Sequence, residues 1–182
     1  ENIMNTKLIK SLKERHEELK AWQEDMHRNP ELSMQEENTA KFIADKLKAF
    51  GDYEVEEGVG KYGVVASLKV GNSDKAIGIR ADFDALPIQE ENDLPYKSTT
   101  DGDTAMALGA AKYLAETKNF NGTIRFIFQP GEETMEGAPA MIADGLFERF
   151  PVDEIYAMHN MPRLDFGKFY FREGQTMAAV DN

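Results

Sequence analysis

The stretch between residues 123 and 133 most constrains the fold, because an apolar, β-favouring run ends there at a tight turn. Residues 123–128 favour a strand, the Pro-Gly pair that follows Gln129 makes a turn, and Glu132 and Glu133 lead into a predicted helix over 134–144. Residues at the carboxyl end of a strand in an open α/β sheet face the crevice where ligands bind. The sequence therefore predicts that the two carboxylates lie at a ligand-binding edge.

The adjacent carboxylates have two interpretations. One could ligate a metal while the other moves a proton, or both could complement the dipole of the helix that follows. A second predicted strand, 152–158, ends at His159. If the two strands are parallel neighbours, Glu133 and His159 emerge at the same edge, and both residue types are ordinary zinc ligands. A lone histidine is more often structural, so spacing alone leaves both interpretations open.

The rest of the chain predicts an α/β fold with a mixed sheet sandwiched by helices. Ser33 and Glu36 form a capping-box pattern before the second helix. Asp82 and Asp84 follow the third strand, where they either make an Asx turn or add acids to the crevice. A polar loop is expected over 89–102. The remaining predicted elements are helices 5–27, 34–50 and 104–117 and strands 53–55, 63–70, 75–81 and 166–172, the last an antiparallel edge strand.

Composition narrows the function classes. A chain of 182 residues is long enough for one domain with a core. The net charge of −12 argues against nucleic-acid and anionic-membrane partners. No apolar run approaches the ~20 residues of a membrane span, and the amino terminus lacks a signal-peptide core, so a cytoplasmic location is expected. The absence of cysteine excludes disulfides and thiolate ligands.

Four segments in order resemble one family: HRNPELS (27–33), RADFDALPIQE (80–90), FQPGEE (128–133) and MHN (158–160). Together they resemble the amidohydrolase branch of the zinc aminoacylase and carboxypeptidase family. That branch includes hippurate hydrolase, auxin-conjugate hydrolases and N-acetyldiaminopimelate deacetylase. The resemblance covers essentially the whole chain. It implies an α/β catalytic domain that binds two metals, with a smaller lid or dimerisation domain inserted into it.

The resemblance also implies roles for individual residues. Glu132 matches the general base, Glu133 and His159 match metal ligands, and Asp82 matches an acid that orients the site. Where related branches have the histidine of a His-x-Asp motif, this chain has Arg80. The implied cofactors are two divalent metal ions, of which zinc, manganese, cobalt or nickel would suit. The implied reaction is attack of a metal-activated water on an amide, with Glu132 carrying the proton to the leaving amine.

The sequence departs from the family pattern in two places. The family has a Cys-Gly-His-Asp block with two metal ligands where this chain has only Asp103, between Gly102 and Thr104. Because the flanking segments match on both sides, we expect missing residues and a spatial gap rather than a true deletion. The chain also stops where the family enters its lid, so residues 1–182 are expected to be the amino-terminal part of a catalytic domain, with the lid absent.

Several expectations follow from these departures. Only Glu133 and His159 remain of the implied ligands, so the site would be incomplete or empty. An apolar surface should be exposed where further chain would pack, and a homodimer would form only through the absent lid. Hydrolysis of N-acyl amino acids, with the acyl group and amino acid unspecified, is the leading function. A degenerate or truncated non-catalytic relative acting as a binding module is the alternative, and a dipeptidase of the same family is a weaker one.

Overall fold

A computed structural model describes residues 10–87, 103–159, 165 and 168–174. It confirms an α/β fold in which helices cover a mixed five-stranded sheet. The helices are α1 (His16–Arg28), α2 (Glu37–Ala49), α3 (Asp103–Thr117), α4 (Gly137–Ala143) and α5 (Leu146–Arg149). The strands are β1 (Glu54–Val59), β2 (Gly63–Val70), β3 (Ala76–Asp82), β4 (Gly122–Gln129) and β5 (Glu154–Ala157).

The sheet has the strand order β1-β2-β4-β3-β5. Strands β1, β2 and β4 pair antiparallel, whereas β3 pairs parallel with both β4 and β5. The condition that β4 and β5 are direct neighbours is therefore not met, because β3 lies between them. All three run in the same direction, however, so their carboxyl ends still meet at one edge of the sheet.

The sheet separates two apolar clusters of unequal size. The larger includes Trp22, Ile43, Leu47, Phe126 and Phe128, from α1, α2 and β4. The smaller includes Val65, Ile127, Met141 and Leu146, from β2, β4, α4 and α5. Since successive side chains of a strand point to opposite faces, β4 contributes to both clusters, and this accounts for its unbroken apolar run over residues 126–128.

The first predicted helix and the last predicted strand differ from the structure. Residues 10–14 are helical, but a turn at Arg15 separates them from α1, and residues 5–9 lie outside the described part. The predicted strand 166–172 is wrong for its described residues, 168–172, which have no strand assignment. Phe169 and Phe171 are 82% and 98% exposed. Aromatic composition favours a strand only when another strand pairs with its backbone, and no described strand does so here.

Strand β5 is an exposed edge. All four of its residues are exposed, including Ile155 and Tyr156, and Met158 just beyond the strand is exposed as well. Parallel sheets normally have both faces covered. Exposed apolar side chains therefore lie at the β5 edge of the described chain, while the packing of further chain against them stays a prediction.

Helix α2 begins through a contact that the capping-box pattern does not predict. Glu36 makes no side-chain cap, and Ser33 donates instead to Asp84 Oδ2 at 2.6 Å. The cap is Glu31, whose carboxylate accepts from the backbone N–H groups of Thr39 at 2.7 Å and Asn38 at 3.2 Å. Side-chain atoms of both residues donate to it too. Burial raises the pKa of Glu31, but these hydrogen bonds outweigh burial, so its pKa lies below the usual value.

We expect Glu31→Ala to lower the free energy of unfolding at pH 7 by about 1–2 kcal/mol, because it removes the acceptor for the first-turn amides of α2. Since the pKa of Glu31 is lowered by folding, its contribution is present above about pH 4.3 and is lost as pH falls further. Urea denaturation at pH 7 and pH 3 measures both effects. The matched control is Glu37→Ala, an exposed acid in the same first turn. A difference between the two variants that does not shrink from pH 7 to pH 3 would contradict this assignment.

Candidate functional site

The carboxyl ends of β3, β4 and β5 form the candidate site. Asp82 ends β3 and pairs in register with Gln129, the last residue of β4. The β3–β5 register pairs Arg80 with Ala157, so the parallel alignment brings the residue two positions later, His159, level with Asp82. Glu132 and Glu133 follow β4 after the Pro-Gly turn. Sheet topology alone thus gathers acids and a histidine from three distant segments.

Three of these side chains converge closely. Asp82, Glu132 and His159 each offer one ligand atom, and these atoms lie within 4.8 Å of one another. His159 Nε2 is 3.9 Å from Asp82 Oδ2. Glu133 lines the adjoining cleft together with Asp82 and His159. All four predicted site residues therefore lie at one sheet edge, while the division of roles among them stays a prediction.

Arg80 holds Asp82 in place, and sequence reasoning gave it no function. Its Nη1 donates to Asp82 Oδ2 at 2.9 Å, and its Nε donates to Gln129 Oε1 at 3.0 Å. The spacing of two residues on one strand places Arg80 and Asp82 on the same face, which is the signal that could have revealed the pair. The Thr104 hydroxyl also donates to the backbone carbonyl of Asp82.

The Glu-Glu pair lies in a turn and not at a helix start. Residues 132–135 form turns, and helix α4 begins only at Gly137, so the predicted start at 134 is wrong. The Met135 N–H donates to the Glu132 carbonyl, and the Gly137 N–H donates to the Gly131 carbonyl. Gly131 has φ +54°, in the left-handed region that glycine tolerates best. The helix dipole thus does not explain the carboxylate pair.

Two carboxylates from other elements accept hydrogen bonds from the backbone of this turn. Glu36 Oε1 accepts from the Gly131 N–H at 2.7 Å. Asp84 Oδ1 and Oδ2 accept from the N–H groups of Glu132 and Glu133, both at 3.0 Å. The sequence indicates Asp84 only as an acid near the crevice, and Glu36 only as part of a helix cap. Contacts of this kind join segments far apart in the chain, so sequence spacing does not reveal them.

Burial and the neighbouring acids raise the pKa of Glu133. Burial is the largest cause, followed by the charges of Glu132, Asp84 and Asp82, while His159 acts in the opposite direction. A cation at this edge would relieve the mutual repulsion of the carboxylates. Carboxylate oxygens and an imidazole nitrogen are also the donors that zinc, manganese and similar divalent ions accept. The donor set therefore fits a divalent metal ion.

The structure describes only part of the segment around Asp103, where the sequence departs from the family pattern. Asp103 and Thr104 are consecutive residues of α3, whereas Gly102 and the predicted polar loop 89–102 lie outside the described residues. The predicted spatial gap at Gly102 lies there too, as does Asn160 of the MHN motif.

Comparison with known proteins decides the family. The family model described as peptidase family M20/M25/M40 matches residues 78–176, more than half of the chain and the part that carries the site. The chain belongs to this family. Among curated proteins it is similar to a hippurate hydrolase of Campylobacter jejuni, with 54% identity over 166 residues, 86% of this chain and 43% of the relative.

Other relatives agree with this membership. An N-acyl-L-amino acid amidohydrolase of Geobacillus stearothermophilus is 39% identical over 172 residues, 88% of this chain and 46% of that protein. A crystal structure of a Bacillus subtilis dinuclear metal-binding peptidase of the M20 family has a TM-score of 0.74 and 40% identity, covering 84% of this chain and 45% of that one. The chain spans somewhat less than half the length of these relatives.

We expect Gly137→Ala to lower the free energy of unfolding by about 3 kcal/mol or more, because the added Cβ atom would collide with the backbone of the turn. The added atom would lie 1.5 Å from the Pro130 carbonyl oxygen, so the Glu-Glu turn itself would have to move. The control is Gly51→Ala, where φ is +72° but nothing lies within 4 Å; its expected cost is about 1–2 kcal/mol of backbone strain alone. Urea denaturation compares the two, and equal costs would contradict the close packing of the turn.

Proposed function

We propose that this chain is the amino-terminal part of the catalytic α/β domain of a metal-dependent N-acyl amino acid amidohydrolase. The observation that carries the proposal is the convergence of Asp82, Glu132 and His159 within 4.8 Å at the end of three parallel strands. The names of the relatives support the substrate class, since they include a hippurate hydrolase and an N-acyl-L-amino acid amidohydrolase. A substrate of this class is a small molecule with an amide bond and a carboxylate.

The roles follow the family resemblance and are compatible with the geometry. Glu133 and His159 would ligate metal, and Asp82 would orient the site from its position 3.9 Å from His159 Nε2. Bound divalent ions would supply Lewis acidity toward water and the amide carbonyl. The nearby dinuclear relative supports two ions, and zinc, manganese, cobalt or nickel would each suit the donor set.

Glu132 would be the general base. Its carboxylate lies beside Asp82 and His159, and Asp84 holds its backbone N–H. From this position it could accept a proton from the attacking water and deliver it to the leaving amine, as a positioned carboxylate does in general acid–base catalysis. Because Glu132 also lies within the donor cluster, its role and that of Glu133 must be separated by experiment.

Further proposals rest on the resemblance. A homodimer would form through the lid domain that the resemblance implies, and the protein would be cytoplasmic. No helix in the described ranges is long and apolar enough to cross a membrane. A non-catalytic, degenerate relative is the second candidate function, and the specific observation in its favour is the absence of the Cys-Gly-His-Asp block.

We expect the purified chain to bind Co²⁺ weakly but saturably, and His159→Ala and Glu133→Gln to weaken binding at least about tenfold through the loss of one ligand each. Glu132→Gln should leave the affinity within about threefold, because a general base need not be a ligand. Visible absorption spectroscopy during Co²⁺ titration measures this. The control is His16→Ala, a histidine on the exposed part of α1. If Glu132→Gln weakens binding and Glu133→Gln does not, the two roles are exchanged.

We also expect that the 182-residue chain alone does not hydrolyse hippurate or other N-acyl amino acids at a useful rate. The ligands implied by the family block are missing, and a catalytic zinc usually has three protein ligands. Product release is measured by amine detection after incubation with Zn²⁺, Mn²⁺ or Co²⁺. Turnover that a chelator abolishes would contradict this expectation.

A further inference from the structure

Three consecutive backbone N–H groups of the Glu-Glu turn donate to carboxylates from outside it. Glu36, just before α2, accepts from Gly131 at 2.7 Å, and Asp84, two residues after β3, accepts from Glu132 and Glu133, both at 3.0 Å. Glu36 is fully buried and Asp84 is 9% exposed. The turn that carries both candidate functional glutamates is therefore fixed from two directions.

Burying two acids near other acids is costly unless they are well compensated. Within the described residues, neither Glu36 nor Asp84 forms an ion pair with a lysine or arginine; backbone amides and the Ser33 hydroxyl donate to them. Apolar side chains would fill the same space without this cost. We therefore attribute the burial of these two acids to the backbone amides that they fix. An amide that donates to a carboxylate forms a short, strong, directional hydrogen bond.

We propose that Glu36 and Asp84 are positioning residues that fix the backbone of residues 131–133 and thereby direct the Glu132 and Glu133 side chains into the site. The role of the turn in the site rests on the proposed function, whereas the hydrogen bonds that hold its backbone do not depend on it. The two acids act differently. Asp84 uses both oxygens, one for each glutamate amide, whereas Glu36 uses Oε1 only and its Oε2 has no hydrogen-bond partner.

This difference predicts opposite outcomes for two isosteric substitutions. Asp84→Asn replaces one accepting oxygen with an NH₂ group, which faces a backbone N–H as donor against donor. One of the two glutamate amides then loses its acceptor. Glu36→Gln keeps a carbonyl oxygen for Gly131, and its NH₂ group takes the place of the oxygen that has no partner. We therefore expect the turn to tolerate Glu36→Gln and not to tolerate Asp84→Asn.

The test is hydrogen–deuterium exchange of the purified chain, followed by mass spectrometry of a peptide that contains residues 131–133. Asp84→Asn should speed exchange of these amides at least about tenfold, as expected for a lost hydrogen bond to a charged acceptor. Glu36→Gln should stay within about twofold, and Glu36→Ala should resemble Asp84→Asn. The matched control is Asp153→Asn, since Asp153 also accepts a backbone N–H, from Ala76, at the opposite end of β3.

Equal exchange of residues 131–133 in Asp84→Asn and Glu36→Gln would overturn the proposal. An equal increase of exchange in a peptide from β2 would also overturn it, because it would indicate general destabilisation of the fold. If Asp84→Asn does not fold, the comparison of Glu36→Ala with Glu36→Gln carries the test, because only Glu36→Ala removes the acceptor for the Gly131 N–H; equal exchange of residues 131–133 in these two variants would then overturn the proposal. Co²⁺ titration of the same variants distinguishes a failure of the positioning role from a failure of the proposed function. Faster exchange without any Co²⁺ binding leaves the positioning role intact and removes the proposed function.

Discussion

Strand β3 pairs with a parallel neighbour on each side, and the candidate site depends on this arrangement. Asp82, Glu132 and His159 come from segments far apart in the chain, yet each lies at or just beyond the carboxyl end of a strand in the same three-stranded parallel unit. Parallel strands place corresponding ends at one edge, where ligands bind in open α/β sheets. A different strand order would bury or separate these residues whatever their chemistry.

Electrostatics explains how so many acids remain together without a counter-charge for each. Arg80 neutralises part of the charge of Asp82, while the inner carboxylates, Glu36 and Asp84, accept hydrogen bonds from backbone amides and, at Asp84, from a hydroxyl. The side-chain carboxylates of the outer group, Glu132 and Glu133, accept no such hydrogen bonds among the described contacts. Burial together with neighbouring charge raises the pKa of Glu133. The site is thus layered, with fixed inner acids supporting outer acids that are available to a cation.

The sequence predicted local features well and long-range ones poorly. The bounds of β2 and the helix beginning near residue 103 agree with the observed elements, because β2 is an apolar, valine-rich run that ends at a turn signal and the helix is rich in alanine and leucine. The convergence of the functional residues was also predictable, since all follow strand ends. The cap of α2 by Glu31, the position of β3 and the support of the turn by Glu36 depend on tertiary partners, which no local pattern encodes. Residues 168–172 have strand composition, but composition cannot supply a partner strand.

The central claim is that the shared edge of β3, β4 and β5 is a metal site. It is tested most directly by a crystal structure of the chain soaked in Zn²⁺, with anomalous diffraction recorded on both sides of the zinc absorption edge. The account predicts an anomalous peak about 2.0–2.2 Å from His159 and from a carboxylate of the Asp82–Glu132–Glu133 group. A fully occupied zinc at another surface with none at this edge, or carboxylates at this edge pointing away from His159, would contradict it.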